Sequence, residues 1–449
     1  MQKVKNPFFF IVMILFAAVL ISLAACQSGG GNDNNAADDD DSGADDDSGD
    51  DDQSSDDDND TGAGADDDSG NLDCNDYTAD AADPPGACGI HRDSPLPALT
   101  GPYCVGTVID YWVDESRDET FTPADPNDKR ELMVQIWYPA DPDLQGDPAP
   151  YVSPQVADWV RTTKLPTDPP LPSDWASQFV PYAVYEAPFT TVKKKFPLVI
   201  FSPGLTMNQE LYTAFLEGLA SRGYVVVGID HPYISGLTVF PDGTEIEGTH
   251  HYLEPWLRSA NKVTTADVRF VLDQLTAMNS PDADKEDFRC RFDLDKPGVF
   301  GHSFGGSASA EVCLVDSRFR AGADMDGSIW GDAVQQGTDR PFLMLLSENS
   351  FQTDSTMQTF WSNLHGPGLR GDITGALHGN FSDVGLIYNA FCTVPPPTDF
   401  ELGSIDAMRA VYIVNETLRA FFDINLKGAD PNLYMDELLG FEEVTWTQK

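Results

Sequence analysis

Residues 298–306 read Gly-Val-Phe-Gly-His-Ser-Phe-Gly-Gly, and the fold of the chain is decided around this stretch. It contains a G-x-S-x-G match centred on Ser303, with apolar residues before it and small or apolar residues after it. This order predicts a strand, a sharp turn and a helix, which is where a serine nucleophile stands clear of a sheet. Glycines flank the serine because so tight a turn leaves no room for side chains. The alternative is a glycine-rich turn whose exposed serine has no catalytic role.

Short apolar runs alternate with helical patterns on both sides of this turn. Two early runs are typical of strands, and the second of them alternates in polarity, as a half-buried antiparallel strand does. The later runs are continuously apolar, as in a parallel sheet covered on both faces. We therefore predict an α/β fold with a mostly parallel central sheet, antiparallel N-terminal strands and flanking helices. The predicted strands are 105–113, 131–138, 197–201, 224–229, the run before Ser303, 319–326 and 341–346, and the main helices are 210–220, 260–278, the segment after Ser303, and 405–426.

The N-terminus has the composition of an export signal. Two lysines precede an apolar run that is long enough to be a transmembrane helix, but the run ends in Leu23-Ala24-Ala25-Cys26. Small residues before a cysteine resemble a bacterial lipobox, so we predict a lipoprotein signal peptide at residues 1–25 and lipidation of Cys26. Because Gln27 is not an aspartate, we expect a lipid-anchored protein of the bacterial cell envelope, at the outer membrane or cell surface.

Residues 26–86 are predicted to be a disordered tether, because aspartate, glycine and serine dominate and bury no apolar surface. Residues 87–449 are long enough for one large catalytic domain. The formal net charge is −46, and the folded part is acidic even without the tether. With no basic patch beyond Lys193-Lys194-Lys195, we expect no nucleic-acid partner.

Six cysteines follow Cys26, and in an exported chain an even number is consistent with disulfides. Cys290 precedes the strand that leads to Ser303, and Cys313 lies almost three turns down the helix that runs back beside it. That placement favours a Cys290–Cys313 bond, although reduced cysteines packed in the core are a fair alternative. No C-x-x-C pair suggests zinc, and we predict no metal or cofactor.

A serine hydroxyl needs a base and an orienting acid to act as a nucleophile. In one known arrangement of such triads, the chain order is nucleophile, acid, histidine. The base would then lie after Ser303, which leaves His365 and His378. His378 lies in a loop of small residues and is the preferred base, whereas His365 precedes a Gly-Pro-Gly turn. Asp324 and Asp326 both end an apolar strand, and periodicity does not choose between them.

Residues 140–192 contain many prolines, aspartates and aromatic residues, and two interpretations of this segment are open. Its aromatic side chains form either a lid or acyl-pocket wall, or simple packing over the domain. The residues concerned are Trp159, Trp175, Phe179, Tyr182 and Tyr185.

Five short segments carry a resemblance to a known family. They are Leu-Met-Val-Gln-Ile-Trp-Tyr-Pro at 132–139, Phe-Ser-Pro-Gly-Leu at 201–205, Gly-His-Ser-Phe-Gly-Gly at 301–306, Asp-Met-Asp at 324–326 and His-Gly-Asn-Phe at 378–381. Through them the chain resembles the plasma-type (isoform II) platelet-activating-factor acetylhydrolases, a branch of the α/β-hydrolase superfamily. The similarity covers the region from residue 100 to residue 430.

The resemblance implies a calcium-independent serine ester hydrolase with an α/β-hydrolase fold. Its substrates would be short or oxidised acyl esters, including the sn-2 acyl group of platelet-activating-factor-like phospholipids. It implies Ser303, Asp326 and His378 as the catalytic triad and the backbone N–H groups of Leu205 and Phe304 as the oxyanion hole. Relatives usually have His-Gly where this chain has Pro203-Gly204. Because the donor position is Leu205, we expect the hole to survive and the loop polarity to differ.

Two alternatives to this function are open. A cutinase-like polyester hydrolase or a general carboxylesterase would share the fold, the serine motif and the export signal. A catalytically silent lipoprotein that uses the fold for binding is the alternative from a different class.

Overall fold

The computed structural model describes residues 74–449 except 85, 126, 166, 168–169, 250, 252 and 393–400. A ten-stranded sheet forms its centre, in the order β12-β11-β10-β9-β8-β4-β5-β2-β1-β3. The strands are β1 Cys104–Asp118, β2 Lys129–Ala140, β3 Val184–Tyr185, β4 Phe196–Ser202, β5 Val225–Asp230, β6 Leu237–Val239, β7 Glu245–Glu247, β8 Phe292–His302, β9 Ala321–Met325, β10 Phe342–Ser347, β11 Gly368–Ile373 and β12 Val444–Gln448. The short strands β6 and β7 form a separate hairpin.

Helices cover the sheet on both faces. They are α1 Pro154–Trp159, α2 Thr213–Ser221, α3 Glu254–Met278, α4 Phe304–Val315, α5 Ala333–Gln336, α6 Ser350–Thr353, α7 Ser355–Asn363, α8 Val384–Phe391, α9 Ala407–Phe422 and α10 Pro431–Leu438. Every residue of β4 and β5 is buried, because apolar clusters lie on both sides of the sheet.

The predicted α/β-hydrolase fold is confirmed. From β5 through β4, β8, β9 and β10 to β11 every neighbouring pair is parallel, whereas β1 and β2 join the sheet antiparallel. The loops after β4, β5, β8, β9 and β11 therefore meet at one edge of the sheet. Ligand sites of open α/β sheets lie at such carboxyl-terminal edges.

Several elements differ from the prediction. Helix α3 begins at Glu254 rather than at residue 260. The sequence-based prediction missed its first turns, in which most residues are exposed. Strands β11 and β12 were not predicted. Strand β11 is half-buried and carries Arg370 and Asp372, which pair with each other, so its composition resembles a loop. Strand β12 pairs antiparallel with β11 and covers that edge.

The folded region starts before the predicted boundary at residue 87. Cys74 is bonded to Cys290, and Thr78 forms a parallel bridge with Lys194. The last part of the predicted tether, from Cys74 onward, therefore attaches to the domain. Polar composition hid this attachment because a disulfide and a backbone bridge need no apolar surface.

The predicted Cys290–Cys313 bond is wrong. Cys290 pairs with Cys74, a second disulfide joins Cys88 to Cys104, and Cys313 is reduced and buried. The Cys313 side chain faces the sheet, because a Cβ atom added at Gly322 of β9 would lie 2.5 Å from the Cys313 sulfur. Its thiol therefore packs in the core.

The aromatic residues of 140–192 favour packing over a lid. Trp159, Trp175 and Phe179 belong to the main apolar core, and Tyr182 is also buried, while Tyr185 is 43% exposed. Trp175 and Phe179 also contact the Tyr151 ring.

The predictions for residues 1–25 and for Cys26 lie outside the described residues. Within the part of the chain that the structure describes, no helix is long and apolar enough to cross a membrane.

Candidate active site

Ser303 sits between β8 and α4 in a strained backbone conformation. It precedes the first residue of α4 and has φ 54° and ψ −116°, which a residue with a side chain rarely adopts. Its N–H donates to the Met325 carbonyl at the end of β9 (2.8 Å). Strain of this kind is concentrated at functional sites, where the surrounding structure holds it in place.

The two motif glycines are needed for steric reasons. A Cβ atom at Gly301 would lie 2.2 Å from the Gly305 carbonyl carbon, and one at Gly305 would lie 1.9 Å from the Ser202 carbonyl oxygen. The turn can therefore pack against the loop after β4 only without side chains at these positions. The predicted strand–turn–helix arrangement around Ser303 is the one observed.

Asp326 and His378 form a hydrogen-bonded pair at the same sheet edge. His378 Nδ1 lies 2.8 Å from Asp326 Oδ2, and the N–H of Ser347 donates to Asp326 Oδ1 (2.8 Å). The Asp326 side chain is buried, while that of His378 is 34% exposed. Burial disfavours protonation of His378, but the hydrogen bond and charge of Asp326 outweigh it and raise the His378 pKa above its ordinary value.

The loop that carries His378 is tied down by its neighbours. The Asn380 side-chain oxygen accepts hydrogen bonds from the N–H groups of Leu377 and Gly403, and the N–H of Gly379 donates to the Glu401 carbonyl. The histidine is therefore held by its own loop as well as by Asp326.

The other candidate residues lie in different environments. His365 is 64% exposed and lies 3.5 Å from the exposed Asp339 carboxylate. Asp324 is fully buried, and its Oδ1 accepts the N–H of Gly327 next to the turn at Ser303. Burial and the nearby Asp326 charge raise the Asp324 pKa well above its usual value, which favours a neutral carboxyl. The structure therefore brings Asp326, and not Asp324, to the histidine.

The loop after β4 lies against the turn at Ser303. A Cβ atom at Gly204 would be 3.3 Å from Ser303 Cβ, which places this loop beside the serine. Within the described residues, the N–H groups of Leu205 and Phe304 donate no hydrogen bond, whereas the N–H of the neighbouring Thr206 donates to Ile234. Two free donors, one of them at the start of α4, are what an oxyanion requires.

Tyr212 connects the loop of Leu205 to the turn that carries Phe304. The sequence did not reveal this role. The Tyr212 hydroxyl oxygen accepts the N–H of Gly204 (3.1 Å) and lies 2.8 Å from His302 Nδ1. We assign the hydroxyl as donor to His302. His302 is buried and its ring lies 4.4 Å from that of His378, centroid to centroid. Burial holds the His302 pKa well below its ordinary value, so a neutral ring packs behind the site.

A second Ser–His–Asp set lies below the same loop and was also missed. His231 Nδ1 lies 2.8 Å from Asp267 Oδ2, and His231 Nε2 lies 3.1 Å from Ser202 Oγ. All three side chains are buried, and Arg130 pairs with Asp267 (2.7 Å). Ser202 ends β4 directly before the loop that contains Leu205, here called the donor loop. This buried set therefore supports the donor loop from inside.

Apolar side chains surround the donor positions. Leu205 and Trp330 are partly exposed and pack on a small buried cluster that includes Ile234, Leu257 and Phe304. A cavity of about 390 Å³ lies elsewhere, between Tyr111, Tyr233 and Phe240, and none of its lining residues belongs to the predicted site. The candidate active site is therefore the edge of the sheet that carries Ser303, together with the apolar surface beside it.

A strained serine at a strand-to-helix turn, a histidine–carboxylate pair and free backbone donors at one sheet edge define the α/β-hydrolase class. Residues 88–241 and 274–436 match the family described as platelet-activating factor acetylhydrolase, isoform II. The chain belongs to this family.

Individual relatives agree with the family. The chain is 28% identical over 271 residues to a probable 1-alkyl-2-acetylglycerophosphocholine esterase of Arthroderma benhamiae, covering 56% of this chain and 66% of that protein. It is 27% identical over 264 residues to the platelet-activating factor acetylhydrolase of Bos taurus, covering 52% and 58%. The chain thus spans less than two thirds of the length of these relatives.

A solved structure is also similar. A ferulic acid esterase from Streptomyces cinnamoneus aligns with a TM-score of 0.68 and 30% identity, over 79% of this chain and 100% of that one. The whole of that esterase therefore corresponds to the domain of this chain.

Proposed function

We propose that this protein is a serine ester hydrolase that uses Ser303, Asp326 and His378 as its triad. The observation that carries the proposal is the Asp326–His378 hydrogen bond at the sheet edge that also presents the strained Ser303. The match to the acetylhydrolase family and the two esterases among the similar proteins support the same chemistry.

In the proposed mechanism Ser303 Oγ attacks the ester carbonyl carbon while His378 Nε2 takes the hydroxyl proton. Nδ1 keeps the other proton and donates a hydrogen bond to the Asp326 carboxylate, which stabilises the imidazolium that forms. The N–H groups of Leu205 and Phe304 bind the oxyanion of the tetrahedral intermediate. His378 then gives the proton to the departing alcohol, and a water molecule releases the acyl group by the reverse steps.

For the substrate, we propose short or oxidised acyl esters, including the sn-2 acyl group of platelet-activating-factor-like phospholipids. The family and the relatives' names support this class. The apolar surface of Leu205 and Trp330, which pack on the buried Phe304, suits a short acyl chain. A general carboxylesterase is the second candidate, because the similar ferulic acid esterase matches more of this chain than either relative does.

Labelling with a fluorophosphonate, followed by a panel of short-acyl, long-acyl and phospholipid esters, tests the proposal. We expect Ser303→Ala to abolish labelling and to lower ester turnover by about 10⁴-fold or more. Ser202→Ala is the matched control because Ser202 is the buried serine next to the site, and it should still label. Labelling that persists in Ser303→Ala would contradict the nucleophile assignment.

The panel also separates the two substrate classes. The phospholipid proposal expects the highest kcat/KM for short-acyl phospholipids. A preference for soluble long-chain or polymeric esters would instead favour the carboxylesterase or polyester-hydrolase class.

We also propose that the protein is lipid-anchored through Cys26 in the bacterial cell envelope. The lipobox-like end of the N-terminal apolar run and the aspartate-rich segment after it support this anchoring. Incorporation of labelled palmitate in cells, compared with Cys26→Ser, measures it. Equal labelling of the two proteins would refute the anchor.

A further inference from the structure

Lys164 brings a positive charge to the donor loop of the candidate site. It is the last residue of a π-helical turn, Val160–Lys164, that follows α1. Its Nζ donates a hydrogen bond to Thr206 Oγ1 (3.1 Å), and Thr206 directly follows the proposed oxyanion donor Leu205. Thr206 itself has φ 61°, a conformation that strains a β-branched residue. Irregular helical turns and strained backbone both occur preferentially at functional sites.

In the part of the chain that the structure describes, the ammonium group of Lys164 has no carboxylate partner. No ion pair within 4.0 Å joins it to any residue in the described part of the chain, and its one hydrogen bond is to the Thr206 hydroxyl. Other lysines, such as Lys129 and Lys285, pair with aspartates.

Lys164 is also half-buried, and an ammonium group that is partly removed from water without a carboxylate partner among the described residues is costly. Burial lowers the Lys164 pKa to about 8, and the negative charge of Glu401 opposes this shift. The Lys164 charge in turn reaches the proposed base, where it works against protonation of His378. A half-buried ammonium gains most from an anion that approaches closely and accepts its remaining N–H donors.

We propose that Lys164 is a specificity-determining residue that binds an anionic oxygen group of the ester substrate, beside the scissile carbonyl. This inference rests on the proposed function and adds a recognition residue to it. The hydrogen bond to Thr206 fixes the ammonium next to the oxyanion donor, so the anion is bound while the carbonyl oxygen occupies the hole. Two sources supply this chemistry: the phosphodiester of a glycerophospholipid and the terminal carboxylate of an oxidised acyl chain.

The test compares esters that differ in charge but have the same acyl length. One pair is the para-nitrophenyl monoester of glutarate and para-nitrophenyl pentanoate. The other pair is dihexanoyl phosphatidylcholine and dihexanoylglycerol, both kept below micelle formation. Each is assayed with the full chain and with Lys164→Met, which keeps the side-chain length but removes the charge. Lys164→Arg, which keeps the charge, is the conservative control.

In Lys164→Met we expect the ratio of kcat/KM for the charged to the neutral ester to fall by about 10- to 100-fold, the range of one charge-assisted contact. The loss should appear mainly in KM, and Lys164→Arg should restore the ratio to within about threefold of the wild type. A loss on the phospholipid pair alone identifies phosphate as the anion, and a loss on the glutarate pair alone identifies carboxylate.

If Lys164→Met leaves the ratio of kcat/KM for the charged to the neutral ester unchanged in both pairs, and turnover still depends on Ser303, the role of Lys164 is overturned and the proposed function stands. Hydrolysis of all four esters at wild-type rates by Ser303→Ala would instead refute the proposed function, and the role of Lys164 with it. The two failures are therefore distinguishable in one set of assays.

Discussion

The molecule contains two histidine–aspartate pairs of the same geometry in very different surroundings. The first pair, His378 and Asp326, lies at the carboxyl-terminal edge of the sheet, and the second pair, His231 and Asp267, is buried inside the domain. Both Nδ1–Oδ2 distances are 2.8 Å. The side chain of His378 is 34% exposed, whereas that of His231 is 1% exposed. Of the two, only the outer pair, His378 and Asp326, has access to a substrate; His231 and Asp267 are the inner pair.

Charge separates the two pairs further. Burial disfavours the Asp267 carboxylate, but Arg130, with help from His231, holds its pKa well below the usual value. Burial, with Arg130 and Arg117 nearby, lowers the His231 pKa, while that of His378 is raised. A histidine–aspartate hydrogen bond is therefore not a catalytic signature by itself. Two features give His378 its proposed role as a base: its access to solvent, and the fact that no arginine among the described residues pairs with Asp326.

Replacing the outer aspartate should have the largest effect. Asp326→Asn keeps the side-chain shape but removes the charge that fixes the His378 tautomer, so we expect kcat to fall by about 10³- to 10⁴-fold. The free energy of unfolding should change by about 1 kcal/mol or less. Steady-state kinetics and urea denaturation of the same samples measure both quantities. A large loss of stability with an equal loss of soluble protein would mean that this pair is structural.

Replacing the inner aspartate should reverse this pattern. Asp267→Asn leaves Arg130 buried with Glu119 as its remaining carboxylate partner, and we expect the free energy of unfolding to fall by about 3–5 kcal/mol. The remaining folded enzyme should lose about tenfold or less in kcat, because the pair supports the donor loop without touching the substrate. A loss of kcat as large as that of Asp326→Asn, with stability unchanged, would contradict the assignment.

The pH dependence of activity should follow the outer histidine. His378 must be neutral to accept a proton, and its pKa is raised above 6.5, so kcat/KM for a neutral ester should fall as the pH drops through a midpoint above 6.5. Each further pH unit should cost about tenfold. Because the Asp326 charge raises this pKa, Asp326→Asn should move the midpoint of the residual activity to lower pH. A wild-type midpoint below 6.5 would show that another group titrates.

Much of the candidate site was predictable because its residues follow the ends of strands, where the sequence pattern changes. The glycines around Ser303, the small-residue loop of His378 and the chain order of serine, aspartate and histidine are local patterns, and the structure brings Asp326 and His378 together as predicted. Periodicity left Asp324 and Asp326 equivalent, because residues two apart face the same way along a strand. The backbone at Asp326, with φ 56°, turns its side chain towards the histidine loop instead.

What escaped prediction depends on contacts between distant segments. Cys74 meets Cys290 across 216 residues, and Lys164 meets Thr206 through a turn that has no sequence motif. Arg130 and Asp267 are 137 residues apart and pair inside the domain, where the sequence alone predicts exposed charges. Such pairs depend on the tertiary arrangement of segments that are far apart in the chain.

The sequence by itself determined the parallel sheet, the tight turn at Ser303 and the order of the reactive residues, because each follows from local sterics and the periodicity of apolar side chains. Only the tertiary structure decided which histidine–aspartate pair faces solvent and which is neutralised by Arg130. The physical reason is that a side chain's pKa and accessibility depend on burial and on charges from other parts of the chain.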